Sequence, residues 1–171
     1  IQLENEPILT DGSMYTILFT GQDLAGNESD PVTITNVLYD ITPPVFTHTS
    51  PDSGSALNHQ AVSYEISENL HMGTIIWEWT MGIKDSDSPR VVTFSDVEME
   101  SGLHDSIVLS NMPQLTDGGV YSILFTGADR AGNVADTIIV SDVLYDYTQP
   151  EMVIEYPLAK SISNTTAMTY S

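Results

Sequence analysis

The sequence predicts an all-β protein made of antiparallel sandwiches, and three observations support this fold class. Short apolar segments alternate with polar residues at a period of two, and no stretch keeps the period of an α-helix. Each segment is closed by Gly, Pro, Asn or Asp, which are the residues that form turns. A long segment also occurs twice, as in proteins that are built from tandem units.

The duplicated segment covers residues 9–44 and 115–150. Its two copies read LTDGSMYTILFTGQDLAGN…NVLYDITPP and LTDGGVYSILFTGADRAGN…DVLYDYTQP, and equivalent positions are 106 residues apart. The same register reaches both ends of the chain, because residues 1–65 align with 107–171 without a gap and 30 of these 65 positions are identical. The sequence therefore predicts a 106-residue repeat.

This period predicts three units. We expect the C-terminal part of one repeat at 1–43, a complete repeat at 44–149 and the N-terminal part of a third repeat at 150–171. A unit of about 100 residues can bury its own core. We expect the two partial units to be completed by neighbouring repeats of a longer chain or by adjoining subunits.

Seven strands are predicted in the complete repeat. They lie in PVFTHTSP, AVSYEISE, GTIIWEWT, RVVTF, DSIVLSN and VYSILFTG, with a last strand at 134–145. Because side chains alternate between the two faces of a strand, the apolar members of each segment share one face. The residues expected to be inaccessible to solvent are Trp77, Ile107, Tyr121 and Phe125, with Tyr15 and Phe19 in the matching places of the first repeat.

The charge balance excludes several kinds of partner. The chain carries 24 acidic and 4 basic residues, a net charge of −20. Such a surface repels nucleic acid and anionic lipid, and it attracts divalent cations.

No apolar run approaches the roughly 20 residues that span a bilayer, so we expect no membrane insertion in this segment. The absence of cysteine excludes a small disulfide-stapled domain.

Two aromatic signals favour an immunoglobulin-like Greek-key sandwich. The first is the pattern D-x-small-x-Y-x-apolar at residues 117–123, which recurs at 11–17. A tyrosine corner has this pattern, in which the ring packs in the core and the hydroxyl holds the preceding loop. The second is Trp77 or Trp79, at the place where such sandwiches bury a tryptophan. A plainer interpretation is that these aromatic residues simply fill a core.

The motif Y-x-I-x-F-x-G-x-D-x-A-G-N, followed by Y-D-x-T-x-P, resembles the tandem bacterial Ig-like repeats of very large surface and secreted proteins. The segment SEN…GTIIW is similar to the same repeats and to those in the stalks of giant adhesins. The resemblance covers the whole chain. It implies an extracellular, non-catalytic module that extends a cell-surface stalk or filament in adhesion, and calcium between modules is common in related arrays.

We predict a calcium site at the junction between the first and second repeats. Asp40 lies in the linker, Glu68 follows the second strand, and Asp129 and Asn133 flank the turn between the last two strands. In a Greek-key sandwich these loops converge at the pole where the chain enters, and Asp11 of the preceding repeat could reach the same place. Calcium takes six to eight oxygen ligands from such carboxylates and carbonyls.

Two alternatives stay open at this stage. Asp129 and Asn133 in A-D-R-A-G-N are also good turn residues, which cap their own backbone without any metal. The chain could instead be a carbohydrate- or ligand-binding module of a secreted multidomain protein, with Trp77 and Trp79 as an exposed platform. No serine or carboxylate pair forms a catalytic arrangement, and we expect no enzyme activity.

Overall fold

The structure is a computed structural model that describes residues 6–156 and 167–170. Within these residues every regular element is a β-strand except one 3-10 turn at Asp96–Met99, so the prediction of an all-β protein is confirmed. None of the described residues forms a helix that is long and apolar enough to cross a bilayer. The strands are β1 (Ser13–Phe19), β2 (Val32–Tyr39), β3 (Phe46–Ser50), β4 (Ala56–Leu57), β5 (Val62–Ile66), β6 (Met72–Gly82), β7 (Arg90–Thr93), β8 (Gly102–Ile107), β9 (Gly119–Ala128), β10 (Ile138–Tyr145), β11 (Ile154–Tyr156) and β12 (Thr169–Tyr170).

Two sheets of the chain pack against each other around one core. The larger sheet has the strand order β4-β10-β9-β6-β7, and the smaller has the order β3-β5-β8. All pairings in them are antiparallel except that of β4 with β10, which is parallel. Aromatic contacts join the sheets: the ring centroid of Phe125 lies 6.4 Å from that of Phe46 and 6.2 Å from that of Tyr64. This part of the chain is therefore a β-sandwich.

A strand is present at each of the seven predicted places in residues 44–149, but β8 covers Gly102–Ile107 rather than the predicted 105–111. β10 begins at Ile138 rather than at Val134, because the preceding residues form a turn in which the amide of Asp129 donates to the carbonyl of Asn133. The sequence did not predict β4, whose two residues pair with the end of β10. A strand of two residues is too short to show an alternation of apolar and polar side chains. β4 is therefore recognised only from its pairing with β10.

The buried face of each strand follows the predicted alternation. Trp77, Tyr121 and Phe125 are each 0% exposed, as expected. The expectation for Ile107 was wrong, because it is only half-buried. It is the last residue of β8, which is an edge strand, and Leu109 takes the fully buried place beyond it.

The pair β1–β2 is the earlier copy of β9–β10, and its local structure is the same. The Tyr15 hydroxyl accepts a hydrogen bond from the Thr10 amide at 2.7 Å, and the Tyr121 hydroxyl accepts one from Thr116 at 2.9 Å. A left-handed residue lies at the same place in β2 and β10, Asn36 with φ 60° and Asp142 with φ 59°. The tyrosine therefore holds the loop before its strand in both copies.

The two copies differ in what covers them. Tyr15 is half-buried and Phe19 is 54% exposed, and no second sheet covers β1–β2 within residues 6–156 and 167–170. The expectation that these residues occupy buried places like those of Tyr121 and Phe125 was therefore wrong for the described residues. Local sequence sets the shape of the pair, whereas burial requires the opposing sheet.

Phe125 and Phe19 offer a matched test of that difference. Phe125→Ala should lower the free energy of unfolding by roughly 3–5 kcal/mol, because it leaves a cavity in a packed core. Phe19→Ala should cost less than about 1 kcal/mol, because its side chain already contacts solvent. Urea denaturation of both variants measures the two values, and equal losses would contradict the assignment of the buried faces.

Candidate metal centre

The linker between β2 and β3 is held by the first unit. Asp11 lies in the tight turn before β1, and its carboxylate accepts hydrogen bonds from the Ile41 amide at 2.8 Å and from the Thr42 hydroxyl. The Asp40 carboxylate accepts a third bond, from the Thr42 amide at 3.2 Å. Asp11 thereby fixes Ile41 and Thr42 to the turn before β1, while the bond to Asp40 lies within the linker.

The second unit holds the same linker from the other side. The side-chain amide of Asn133, in the turn between β9 and β10, donates to the Asp40 carbonyl at 3.1 Å. Pro44 and Phe46 are buried in the core of the sandwich, so the end of the linker enters the second unit directly. The linker therefore has hydrogen bonds to one unit and to the other within a few residues.

Asp129 organises the turn that faces the linker. One of its carboxylate oxygens accepts from the amides of Gly132 at 2.7 Å and Asn133 at 2.9 Å. The other oxygen accepts from the side-chain amide of Asn133 at 2.7 Å. Asp129 therefore caps its own turn, which is the alternative to metal binding that the sequence left open. Asn133 contacts both Asp129 and the linker.

Three of the five predicted metal ligands come together at this junction. Asp40, Glu68 and Asp129 each offer a carboxylate oxygen, and these oxygens lie within 4.8 Å of one another. Asp129 is 4% exposed, while Asp40 and Glu68 are half-buried. We call these three residues the junction triad. Asn133 adjoins it through its amide group. Asp11 is not a member of the group, and its two oxygens accept hydrogen bonds from the Ile41 amide and the Thr42 hydroxyl of the linker.

Glu68 and Asp129, two members of the junction triad, have pKa values that shift in opposite directions. Burial, and then the negative charges of Asp40, Asp129 and Asp11, raise the pKa of Glu68 above its ordinary value. For Asp129, burial favours a higher pKa, but the hydrogen bonds from Asn133 and Gly132 outweigh burial and leave the pKa below its ordinary value. In the described part of the chain, no Lys, Arg or His forms an ion pair with these carboxylates.

The spacing of the carboxylate oxygens in the junction triad can be compared with the geometry of a calcium site. Oxygen–calcium bonds measure about 2.3–2.6 Å, so two ligands of one ion lie at most about 5 Å apart. The separation in the triad falls within that limit. Three carboxylates can supply three to six of the oxygens, and backbone carbonyls or water would supply the rest.

Sequence reasoning missed the role of Thr42 and assigned a different one to Asp11. Both residues recur in the second copy, where the Asp117 carboxylate accepts from the Tyr147 amide at 2.9 Å and from the Thr148 hydroxyl. Their recurrence, Asp11 in L-T-D-G and Thr42 in Y-D-x-T-x-P, was the available signal. Nothing in either motif indicated that the two residues form a hydrogen bond across about 30 residues.

The two tryptophans do not form an exposed platform. Trp77 is 0% exposed and belongs to the core, and Trp79 is partly buried against it. The observation that would favour a carbohydrate-binding module is therefore missing at these positions.

No protein-family model matches this chain, and no curated protein is significantly similar to it in sequence. Function has to be inferred from the junction geometry and from the internal copies.

Glu68→Gln should stabilise the protein at neutral pH without divalent cations. A raised carboxyl pKa means that folding disfavours the charged form. Removing the charge therefore relieves the cost of burying it and the repulsion from neighbouring carboxylates, on the order of 0.5 kcal/mol for a partly exposed group. The gain should disappear as the pH falls below the ordinary pKa of 4.5, where Glu68 is protonated in both states. Thermal melts in EDTA from pH 3.5 to 7.5 measure this.

Glu78→Gln is the control, because Glu78 is an exposed glutamate of β6 outside the junction triad. If both substitutions changed the melting temperature equally at every pH, the stabilisation by Glu68→Gln would not come from the environment of the junction.

Proposed function

We propose that this protein is a structural, non-catalytic repeat module of a long extracellular bacterial surface protein or filament, where it spaces or displays other domains. The observation that carries the proposal is the linker between the units. Asp11 fastens it to the first unit and Asn133 to the second, so two neighbouring units are joined without a free hinge. Asp117 makes the same bonds at the next linker, as expected of a connection that is repeated along an array.

The strand order supports an immunoglobulin-like unit. The order β3-β5-β8 corresponds to strands A-B-E of such a sandwich, and β10-β9-β6 corresponds to G-F-C. β7 pairs with β6 rather than with β8, so the fourth strand lies in the sheet of C. The hydrogen bond of the Tyr121 hydroxyl agrees with a tyrosine corner.

The proposal extends to calcium as the group that rigidifies the junction. The junction triad joins a linker residue, Asp40, to two loops of the second unit. Mutual repulsion of these carboxylates, in a chain of net charge −20, would become attraction to a shared divalent ion. Asp40, Glu68 and Asp129 would hold the ion, and it would supply the charge that fixes the linker at that pole.

Calcium should raise the melting temperature of the protein. Binding to the folded state alone stabilises it by about 2.7 kcal/mol at a hundredfold excess over Kd. Asp129→Asn should remove the shift, because it withdraws one of the three carboxylates. Glu68→Gln should reduce the shift too, although it stabilises the metal-free protein.

Asp23→Asn is the matched control for Asp129→Asn. Asp23 caps the equivalent turn of the first copy with the same bonds to Asn27, but it is exposed and lies outside the triad. Its substitution should leave the calcium shift intact. A melting temperature that does not respond to calcium, or responds equally in both variants, would refute the junction site.

Asp11→Ala should free the linker and broaden the distribution of angles between the first two units. The variant loses the bonds to Ile41 and Thr42, which together fix two linker residues. Distances between spin labels on β1 and on β7, measured by pulsed electron paramagnetic resonance, report the spread. Asp117→Ala removes the equivalent bonds at the next linker and should leave this distribution unchanged.

A further inference from the structure

The inner face and outer edge of β1 are uncovered, and the second copy indicates what covers them. Tyr15, Ile17 and Phe19 of β1 are equivalent to Tyr121, Ile123 and Phe125 of β9. The three residues of β9 are each 0% exposed, whereas Ile17 is 38% and Phe19 is 54% exposed. Tyr15 and Ile17 also line an open groove of about 810 Å³, whose other walls are mostly apolar and include Leu9 and Val37.

β9 owes its burial partly to a second strand partner. It pairs with β10 on one side and with β6 on the other, where Ile75 faces Phe125, Trp77 faces Ile123 and Trp79 faces Tyr121. In the described part of the chain, β1 pairs only with β2. Its other edge keeps backbone groups free to accept a strand.

Gly127 in β9 lies against the segment that leads into β6. The equivalent glycine of the first copy is Gly21, which follows β1. A Cβ on Gly127 would lie 2.8 Å from the Leu70 side chain and 2.9 Å from the Met72 carbonyl oxygen, so the approach of this segment excludes any larger residue. Gly21 is the equivalent residue, and a Cβ there would meet nothing closer than the Ser29 hydroxyl at 3.7 Å. Within the described residues no contact requires glycine at position 21.

We propose that the free edge of β1 docks a β-strand with the side-chain pattern of β6, supplied by a preceding repeat segment equivalent to residues 44–106, and that Gly21 is kept small for its approach. This inference rests on the proposed function, since it requires repeats in tandem. The apolar face of β1 then receives the aromatic and aliphatic side chains that β9 receives from β6. The sheet of that segment equivalent to β3-β5-β8 covers the groove.

A second copy of this chain is a poorer occupant for two reasons. Its own β6 is already paired on both edges, with β9 and with β7, so it has no free edge to offer. Each chain also carries a net charge of −20, which opposes association of two copies. A segment that precedes residue 1 in the repeat register lacks the first obstacle, because its β6 equivalent has no β9 of its own. It would also belong to the same polypeptide, so its docking needs no association of two separate acidic chains.

The test joins residues 44–106 directly to Ile1 of the full chain, which preserves the 106-residue register. Hydrogen exchange of the β1 amides, Ser13–Phe19, should slow at least tenfold relative to the unextended chain. Gly21→Val in the extended chain should restore fast exchange in β1. The same substitution in the unextended chain should change neither the exchange nor the melting temperature, since the position is open.

Three results would overturn the inference. β1 could exchange equally fast in both chains, Gly21→Val could leave the extended chain protected, or the unextended chain could form a dimer that protects β1 by itself. The last result would make a second copy the occupant. The calcium response of the junction triad is measured separately, so an unprotected β1 with an intact response would leave the proposed function standing.

Discussion

The two-sided pairing of β9 is the interaction on which the rest of the sandwich depends. β9 hydrogen-bonds to β10 on one edge and to β6 on the other, and it places Tyr121, Ile123 and Phe125 in the centre of the core. The Tyr121 hydroxyl accepts from the Thr116 amide and donates to Asp85, which is also held by Arg90. This central strand thus connects β10, β6, the core and the loops that contain Thr116 and Asp85.

β1 shows what happens to the same sequence without that second partner. It keeps the twist-inducing bulge, the tyrosine hydrogen bond and the pairing with β2, all of which are local to the copy. It loses only burial, which depends on groups from another part of a polypeptide. Secondary structure and local hydrogen bonds are therefore kept in the pair β1–β2, whereas the hydrophobic stabilisation that comes with full burial is not.

Asp129 shows that turn chemistry and cation binding are not exclusive. Its hydrogen bonds to Gly132 and Asn133 fix the carboxylate in place, and the same fixed carboxylate faces Asp40 and Glu68. Asp23 has the same turn but no such neighbours in the described chain. The turn therefore fixes the position of the carboxylate in both copies. Only at the junction do other carboxylates, those of Asp40 and Glu68, lie near it within the described residues. Asn133 links the two roles, because its amide contacts both Asp129 and the linker carbonyl.

The sequence by itself determined the all-β class, the number and approximate positions of seven strands, most of the buried face and the internal copies, although β8 and β10 have other bounds than predicted. It could do so because alternation, turn residues and self-similarity are properties of neighbouring or equally spaced positions. It also predicted that Asp40, Glu68 and Asp129 lie near one another, although only through an assumed topology. Only the tertiary structure decided that Asp11 binds the linker, that β4 pairs with β10, that Ile107 is half-buried and that β1 stays uncovered. Each of these depends on contacts between residues far apart in the chain, and such contacts are set by how the sheets pack rather than by any local pattern.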